Sequence, residues 1–134
     1  MKKNILVDMS ATLLHHGHIR LLKKASKLGR VIVALAQDKE IKKYKGYFPE
    51  LKFKYRKEIL EAIKFVEKVI PSPYFITSQF LEKNKINYLI HGQDNQNKIN
   101  KKKIIILKRT VNISTSEIRK KVIKNYKKHV SSKK

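Results

Sequence analysis

Cysteine is absent from this chain of 134 residues, which excludes disulfides, thiolate metal sites and cysteine nucleophiles together; zinc would have to be held by His and carboxylates alone. Long apolar runs are absent as well. The longest, residues 31–36 and 104–107, fall far below the ~20 residues that a membrane span needs. Near the start, Ile5-Leu6-Val7 is cut by Asp8, too early for the core of a signal peptide. A soluble, cytoplasmic protein that stays out of the membrane is expected. Acidic residues are scarce, ten against 33 basic, for a formal charge of +23. That imbalance invites a nucleic-acid reading. Yet only Arg20, Arg30, Arg56, Arg109 and Arg119 carry guanidinium groups, the other basic residues are Lys, and Ile and Asn are abundant too. Much of the charge therefore reads as compositional bias, of the kind an AT-rich genome imposes, displayed on solvated faces by a side chain that lacks the fork geometry of Arg.

The length suits one domain, and 41% hydrophobic residues suffice for one modest core. Ile5-Leu6-Val7 reads as a strand, and Leu21, Leu22, Ala25 and Leu28 follow at helical spacing before Gly29. Residues 31–36 are apolar without alternation, as in a parallel strand buried on both faces. The pattern recurs after a polar, Lys-rich loop over residues 37–54: a helix through Ile59, Leu60, Ile63 and Phe65, then a strand over 66–70 stopped by Pro71 and Pro73. Phe75, Phe80 and Leu81 suggest a short helix, Tyr88-Leu89-Ile90 and residues 104–107 two more strands. Ser114, with Glu117 three residues on, opens a final helix as a capping box. The fold expected is α/β: a doubly wound, five-stranded parallel sheet with helices on both faces. The domain is expected over residues 1–124, with 125–134 a basic, flexible tail.

In an open parallel sheet, ligands bind outside the carboxyl ends of the strands. Four predicted loops fall there: residues 10–18, the segment with Lys42, Lys43 and Lys45, His91-Gly92-Gln93-Asp94, and residues 109–115. In His15-His16-Gly17-His18 the first loop enters the first helix, so backbone amides and the positive end of the helix dipole face an anion. Gly17 lets the backbone come close. His15 and His18, three residues apart, can present two imidazole donors to phosphoryl oxygens; the plainer alternatives are that they cap the helix or pair on a metal.

These segments resemble a known family. The H-x-G-H turn at this place in the chain is similar to that of the nucleotidyltransferase superfamily. Residues 7–19 with 25–29, Tyr55-Arg56-Lys57-Glu58-Ile59-Leu60, His91-Gly92-Gln93-Asp94, Arg109-Thr110 and residues 113–119 are most similar to its cytidylyltransferase branch, which includes the glycerol-3-phosphate and 2-aminoethylphosphonate-type enzymes. The resemblance covers residues 4–122 and implies a Rossmann-like nucleotidyltransferase fold. The reaction implied is attack by an oxygen of a small phosphorylated or phosphonylated substrate on the α-phosphorus of CTP, releasing pyrophosphate, with Mg²⁺ as cofactor. No covalent enzyme intermediate is needed, so the work is positioning and charge neutralisation.

By that resemblance His15, His18, Lys45 and Arg109 are catalytic, with Lys42 and Lys43 competing for the role of Lys45. Met9, Ser10, Ala11, Gly17, His91, Gly92, Asp94, Ser114, Thr115 and Ser116 bind the nucleotide, and Arg56 and Lys64 occupy positions where relatives carry arginines. Thr12 stands where relatives carry an acidic residue, and Gln93 replaces one of two acidic residues after the glycine. The resemblance also implies a homodimer and an anionic acceptor. Three alternatives stay open: an adenylyltransferase using ATP on a sugar or alcohol phosphate, a basic nucleic-acid-binding module, and a catalytically weak partner protein. Under the leading reading, nucleic acid is bound only non-specifically.

Overall fold

The structure, a computed structural model, describes residues 2–92 and 97–132. Five strands, β1 (Asn4–Met9), β2 (Arg30–Ala36), β3 (Lys68–Ser72), β4 (Tyr88–His91) and β5 (Ile104–Ile106), form one sheet in the order β3-β2-β1-β4-β5. Every pairing is parallel. The helices are α1 (His16–Ser26), α2 (Asp38–Lys45), α3 (Phe53–Glu61), α4 (Ser78–Lys83) and α5 (Thr115–Ser132), with one 3-10 turn at Lys101–Lys103.

Side chains alternate across the sheet, so one strand feeds two cores. Ile5 and Val7 of β1 pack with Leu22 and Ala25 of α1 and Leu60 of α3, while Leu6, between them, joins Leu81 of α4 and Ile86 on the opposite face. Helices therefore cover both faces, and the buried residues of β1 (5–7) and β2 (31–36) are all apolar because neither face meets water there. The sheet's winding reverses between β1, which continues to β2 and β3, and β4, which continues to β5. Val7 pairs with Ile90 across that switch, which sets the next residues, Asp8 and His91, side by side at the carboxyl ends.

Three sequence-based expectations change. Pro71 does not end β3 but lies inside it, opposite Leu35; β3 is an edge strand, where a missing N–H can face away from the ladder. The segment 37–54 is not all loop, because α2 occupies Asp38–Lys45, with Asp38 and Glu40 in its first turn, lysines in its last, and Gly46 closing it in the left-handed region at φ 83°. Finally, the segment expected as a tail from residue 125 is helical among its described residues. α5 runs on to Ser132, exposed along its outer turns.

Candidate active site

The carboxyl ends of β1 and β4, with the loops that follow them and the first turns of α1 and α5, enclose a cavity of about 420 Å³, a size suited to a small ligand. Its floor begins at Met9, Ser10 and Ala11. Ala11 sits in the left-handed region at φ 47°, a backbone conformation that costs a non-glycine residue about 1–2 kcal/mol. This turns the chain sharply from β1 toward α1. Thr12, 3% exposed, lines the same wall and brings no charge to it.

The histidine turn is built from its own backbone. His15 is the N-cap of α1, in extended conformation. Its Nδ1 accepts the amide N–H of Gly17 at 3.0 Å, while His18 Nδ1 accepts the amide N–H of His15 at 3.1 Å. The two imidazoles thus form a reciprocal capping box, with rings standing where Ser and Glu usually stand. An Nδ1 that accepts carries no proton, so in the neutral ring the proton is on Nε2. Each ring therefore offers an Nε2–H donor. Burial pushes the His18 imidazole down to about 4, with the neighbouring His15, Arg109 and Lys45 charges acting the same way. Burial, then His16, lowers His15 also. Both rings are held neutral and fixed in tautomer: capping, the plainer of the readings open at the sequence level, is what sets up the donors. Gly17 leaves room for the cap, since a Cβ there would lie 2.8 Å from the His15 ring and displace it.

Around this turn the structure gathers most of the residues singled out in the sequence. Lys45, the last residue of α2, lines the cavity, whereas Lys42 and Lys43 do not; Lys42 Nζ donates to the Gly46 carbonyl and Lys43 lies over the Tyr44 ring. Arg109 lines the opposite wall beside Ser114, Thr115 and Ser116 at the start of α5. Ser114 Oγ caps α5 by accepting the Glu117 amide at 3.1 Å. The Thr115 hydroxyl donates to the Leu13 carbonyl at 3.2 Å and ties α5 to the first loop. His91 and Gly92 border the cavity from β4. Asp94 lies outside the described residues.

Two expected site residues are elsewhere. Arg56 is 1% exposed and lies behind the cavity wall, with Nη1 donating to the Ser10 carbonyl at 2.6 Å, Nη2 to the Ala36 carbonyl at 3.0 Å and Nε to the Leu51 carbonyl at 3.0 Å. Its ion pair with Asp38 measures 2.6 Å. It clamps the carboxyl ends of β1 and β2 beneath the site instead of meeting a ligand. Lys64 lies at the other end of the sheet, beside a small cavity with Lys2, Arg30 and Glu67. It follows α3, and the chain leaving a helix in this fold descends to the amino ends of the strands.

Several cavity residues were missed, among them one acidic, two aromatic and one basic side chain. Asp8 accepts a hydrogen bond from His91 Nδ1 at 2.8 Å; the signal was a carboxylate ending an otherwise apolar strand. Tyr74 and Phe75, after β3, also line the cavity. With Tyr44 they form an aromatic cluster, the Tyr44 and Tyr74 rings stacked at 4.9 Å and Phe75 edge-on to both. Lys108 adds another ammonium. Among the described residues, no three His, Asp or Glu side chains come together as a metal-binding group.

A histidine-capped helix start at the first crossover of a parallel sheet, sharing a cleft with Arg109 and the serine-capped start of α5, is an arrangement suited to phosphate groups. Comparison with known proteins makes the assignment specific: the Cytidylyltransferase-like family model matches residues 11–121, and the chain belongs to that family. It is 34% identical over 125 residues to the glycerol-3-phosphate cytidylyltransferase of Staphylococcus aureus, covering 87% of this chain and 92% of that protein. With the glycerol-3-phosphate cytidylyltransferase of Bacillus subtilis it is 30% identical, covering 90% and 97%. It is 36% identical over 84 residues to the ethanolamine-phosphate cytidylyltransferase of Mus musculus, covering 61% of this chain but 20% of that longer protein. The lipopolysaccharide core biosynthesis protein of Thermoplasma volcanium shares the fold, with a TM-score of 0.69 at 20% identity over 82% of this chain and 99% of that one.

Proposed function

We propose that this protein transfers CMP from CTP to a small phosphorylated acceptor. An acceptor phosphate oxygen bonds to the α-phosphorus, the bond from that phosphorus to the bridging oxygen breaks, and pyrophosphate leaves. The observation that carries this reading is the pair of neutral imidazoles whose Nδ1 atoms are occupied by backbone amides, leaving two Nε2–H donors beside the cleft. Charge that grows on the phosphoryl oxygens is met by donors that need no rearrangement, the largest single contribution available to such a site. His15 and His18 would meet the triphosphate from α1, and Arg109 with the start of α5 from the other side. Lys45 would sit where the transferred group and acceptor meet. The donor set suits Mg²⁺ that arrives on the nucleotide's own phosphates, because Asp8 is the one acidic side chain among the described residues lining the cavity and magnesium commonly relies on substrate phosphates and water for most of its ligands. When bound, the ion neutralises phosphate charge.

The acceptor end favours a positively charged head group over a neutral polyol. Asp8, Tyr74 and Phe75 line the cavity, a carboxylate and two aromatic rings of the kind that attract an ammonium or quaternary nitrogen. The glycerol-3-phosphate and ethanolamine-phosphate enzymes among the relatives frame the two choices. The test is purified protein with Mg²⁺, each of the four nucleoside triphosphates, and phosphoethanolamine, phosphocholine, 2-aminoethylphosphonate or glycerol 3-phosphate, scored by pyrophosphate release. CTP with an amino-headed acceptor should give the highest kcat/KM; turnover with ATP alone, or none with any pair, overturns the reading. A homodimer, a cytoplasmic location and weak, salt-sensitive nucleic-acid binding by the Lys-rich surface complete the proposal. No helix among the described residues is long and apolar enough to cross a membrane.

A further inference from the structure

Arg119 lies one turn into α5, outside the cavity wall, and reaches across to the segment that follows α2. Its Nη1 donates to Tyr47 Oη at 2.6 Å and its Nη2 to Glu50 Oε2 at 2.6 Å, with the guanidinium stacked 4.6 Å from the centre of the Tyr47 ring. Tyr47 is two residues beyond Lys45, and between them stands Gly46 in the left-handed region. A Cβ at Gly46 would meet nothing within 4 Å, so this joint is not packed in place. Pro49, buried, anchors the far side of the segment. On the α5 side, Ser114, Thr115 and Ser116 face the cavity and Thr115 is already fastened to Leu13.

We propose that Arg119 is a positioning residue for the transfer step: it joins the helix start that faces the triphosphate to the rim that carries Lys45, and so sets where the acceptor lies relative to the α-phosphorus. The inference rests on the nucleotidyl-transfer reading above. Its geometry suits positioning better than stability. Glu50 is 61% exposed, and an ion pair so open to solvent stabilises a fold little. The specific content is the fork. Two terminal nitrogens find two different partners on one segment while the ring below fixes the guanidinium plane, an arrangement that Lys cannot reproduce. Nε is buried with no hydrogen-bond partner, so orientation rests on Tyr47 and Glu50 together.

The experiment compares the full chain with Arg119→Ala, Arg119→Lys and Glu50→Gln. Hydrogen exchange reads the amides of residues 46–51, calorimetric titration reads CTP affinity without acceptor, and kinetics read the KM of CTP and of whichever of phosphoethanolamine, phosphocholine or glycerol 3-phosphate the wild type turns over fastest. In Arg119→Ala, exchange at 46–51 should rise and acceptor kcat/KM should fall on the order of tenfold to a hundredfold, the scale of a small misplacement of reacting groups. CTP affinity and melting temperature should barely move. Arg119→Lys should restore little, and Glu50→Gln should sit between. The proposal is overturned if exchange at 46–51 is unchanged, if CTP affinity and acceptor KM worsen together, or if Arg119→Lys behaves as wild type. Failure of the underlying reading shows separately, as a wild-type protein that neither binds CTP nor releases pyrophosphate, and it takes this proposal with it.

Discussion

Two imidazole sites face the same cavity with opposite proton arrangements. At the α1 start, His15 and His18 accept backbone amides at Nδ1 and so offer Nε2–H donors; at the β4 end, His91 Nδ1 pairs with the Asp8 carboxylate, so that ring donates inward from Nδ1. The residue type is the same, and the difference comes from what holds Nδ1: a helix start supplies N–H groups, and a neighbouring strand end supplies an acidic side chain. The helix start is therefore left with N–H donors, while the strand end ties its imidazole to a carboxylate.

The largest expected effect breaks the first site while keeping its cap. In His18→Asn the amide oxygen can still accept the His15 N–H, but the outer donor is gone; His18→Gln keeps a donor near the Nε2 position and abandons the cap. If the ring's role is donation, Asn should lower kcat on the order of 10²–10³ with melting temperature nearly unchanged, and Gln should retain more activity while losing stability. The reverse ranking would make the turn a cap and nothing more. Acid sharpens the contrast. With the folded value of His18 at about 4 against 6.5 ordinarily, the unfolded chain binds the proton more readily, so this contribution to stability is present above 6.5 and drains away as pH falls toward 4. Melts across that range should show a shallower acid loss in His18→Asn than in wild type.

Next comes the clamp behind both sites. Arg56→Met removes four donor contacts at once and leaves the Ser10, Ala36 and Leu51 carbonyls without them, together with Asp38, which is partly exposed. A loss of about 3 kcal/mol is expected from a buried pair broken on one side, read by denaturant unfolding. Because Arg56 pins Ser10 next to the left-handed Ala11, CTP affinity should weaken even under conditions where the variant is fully folded.

Why Arg56 looked like a ligand residue, and Lys64 with it, is instructive. A resemblance transfers position in the chain, but whether a side chain enters the cleft depends on which end of the sheet and which side of a wall it occupies. Lys64 lies past α3 on the way to β3, which in a parallel sheet already places it at the amino ends; the alternation of elements alone contained that answer. Arg56 is at the correct end, yet points inward, and no periodicity distinguishes the two. The buried strands were legible because the buried residues of β1 and β2 are apolar on both faces. α2 was not, because Ile41 is its one buried residue and its lysines merge with a Lys-rich background. Its ends carried the signal instead: Asp38 and Glu40 at the start, Gly46 at the finish. The pairing of Asp8 with His91 needed the register of β1 on β4, which sequence does not display.

A smaller effect separates the two ends of the sheet. Gly17→Ala puts a methyl 2.8 Å from the His15 ring, a side chain able to swing away, whereas Gly29→Ala puts one 2.2 Å from the Lys3 carbonyl, which is backbone. Overpacking of this kind costs about 1–3 kcal/mol. Gly29→Ala should lose that stability with kcat preserved in the folded fraction, and Gly17→Ala should lose mainly activity as the His15 cap is displaced.

The smallest expected change divides capping from anion binding at the start of α5. Ser114→Ala removes the acceptor for the Glu117 amide and should cost about 1 kcal/mol. Ser114→Asp restores an acceptor and places a negative charge where a helix start favours one, so its melting temperature should equal or exceed that of wild type. The same charge would face the triphosphate across the cavity. CTP affinity in Ser114→Asp should therefore fall below that of Ser114→Ala although the aspartate variant is the more stable of the two, with the gap narrowing as salt is raised. Affinity that follows stability in both variants would mean that the nucleotide does not reach this end of the cleft.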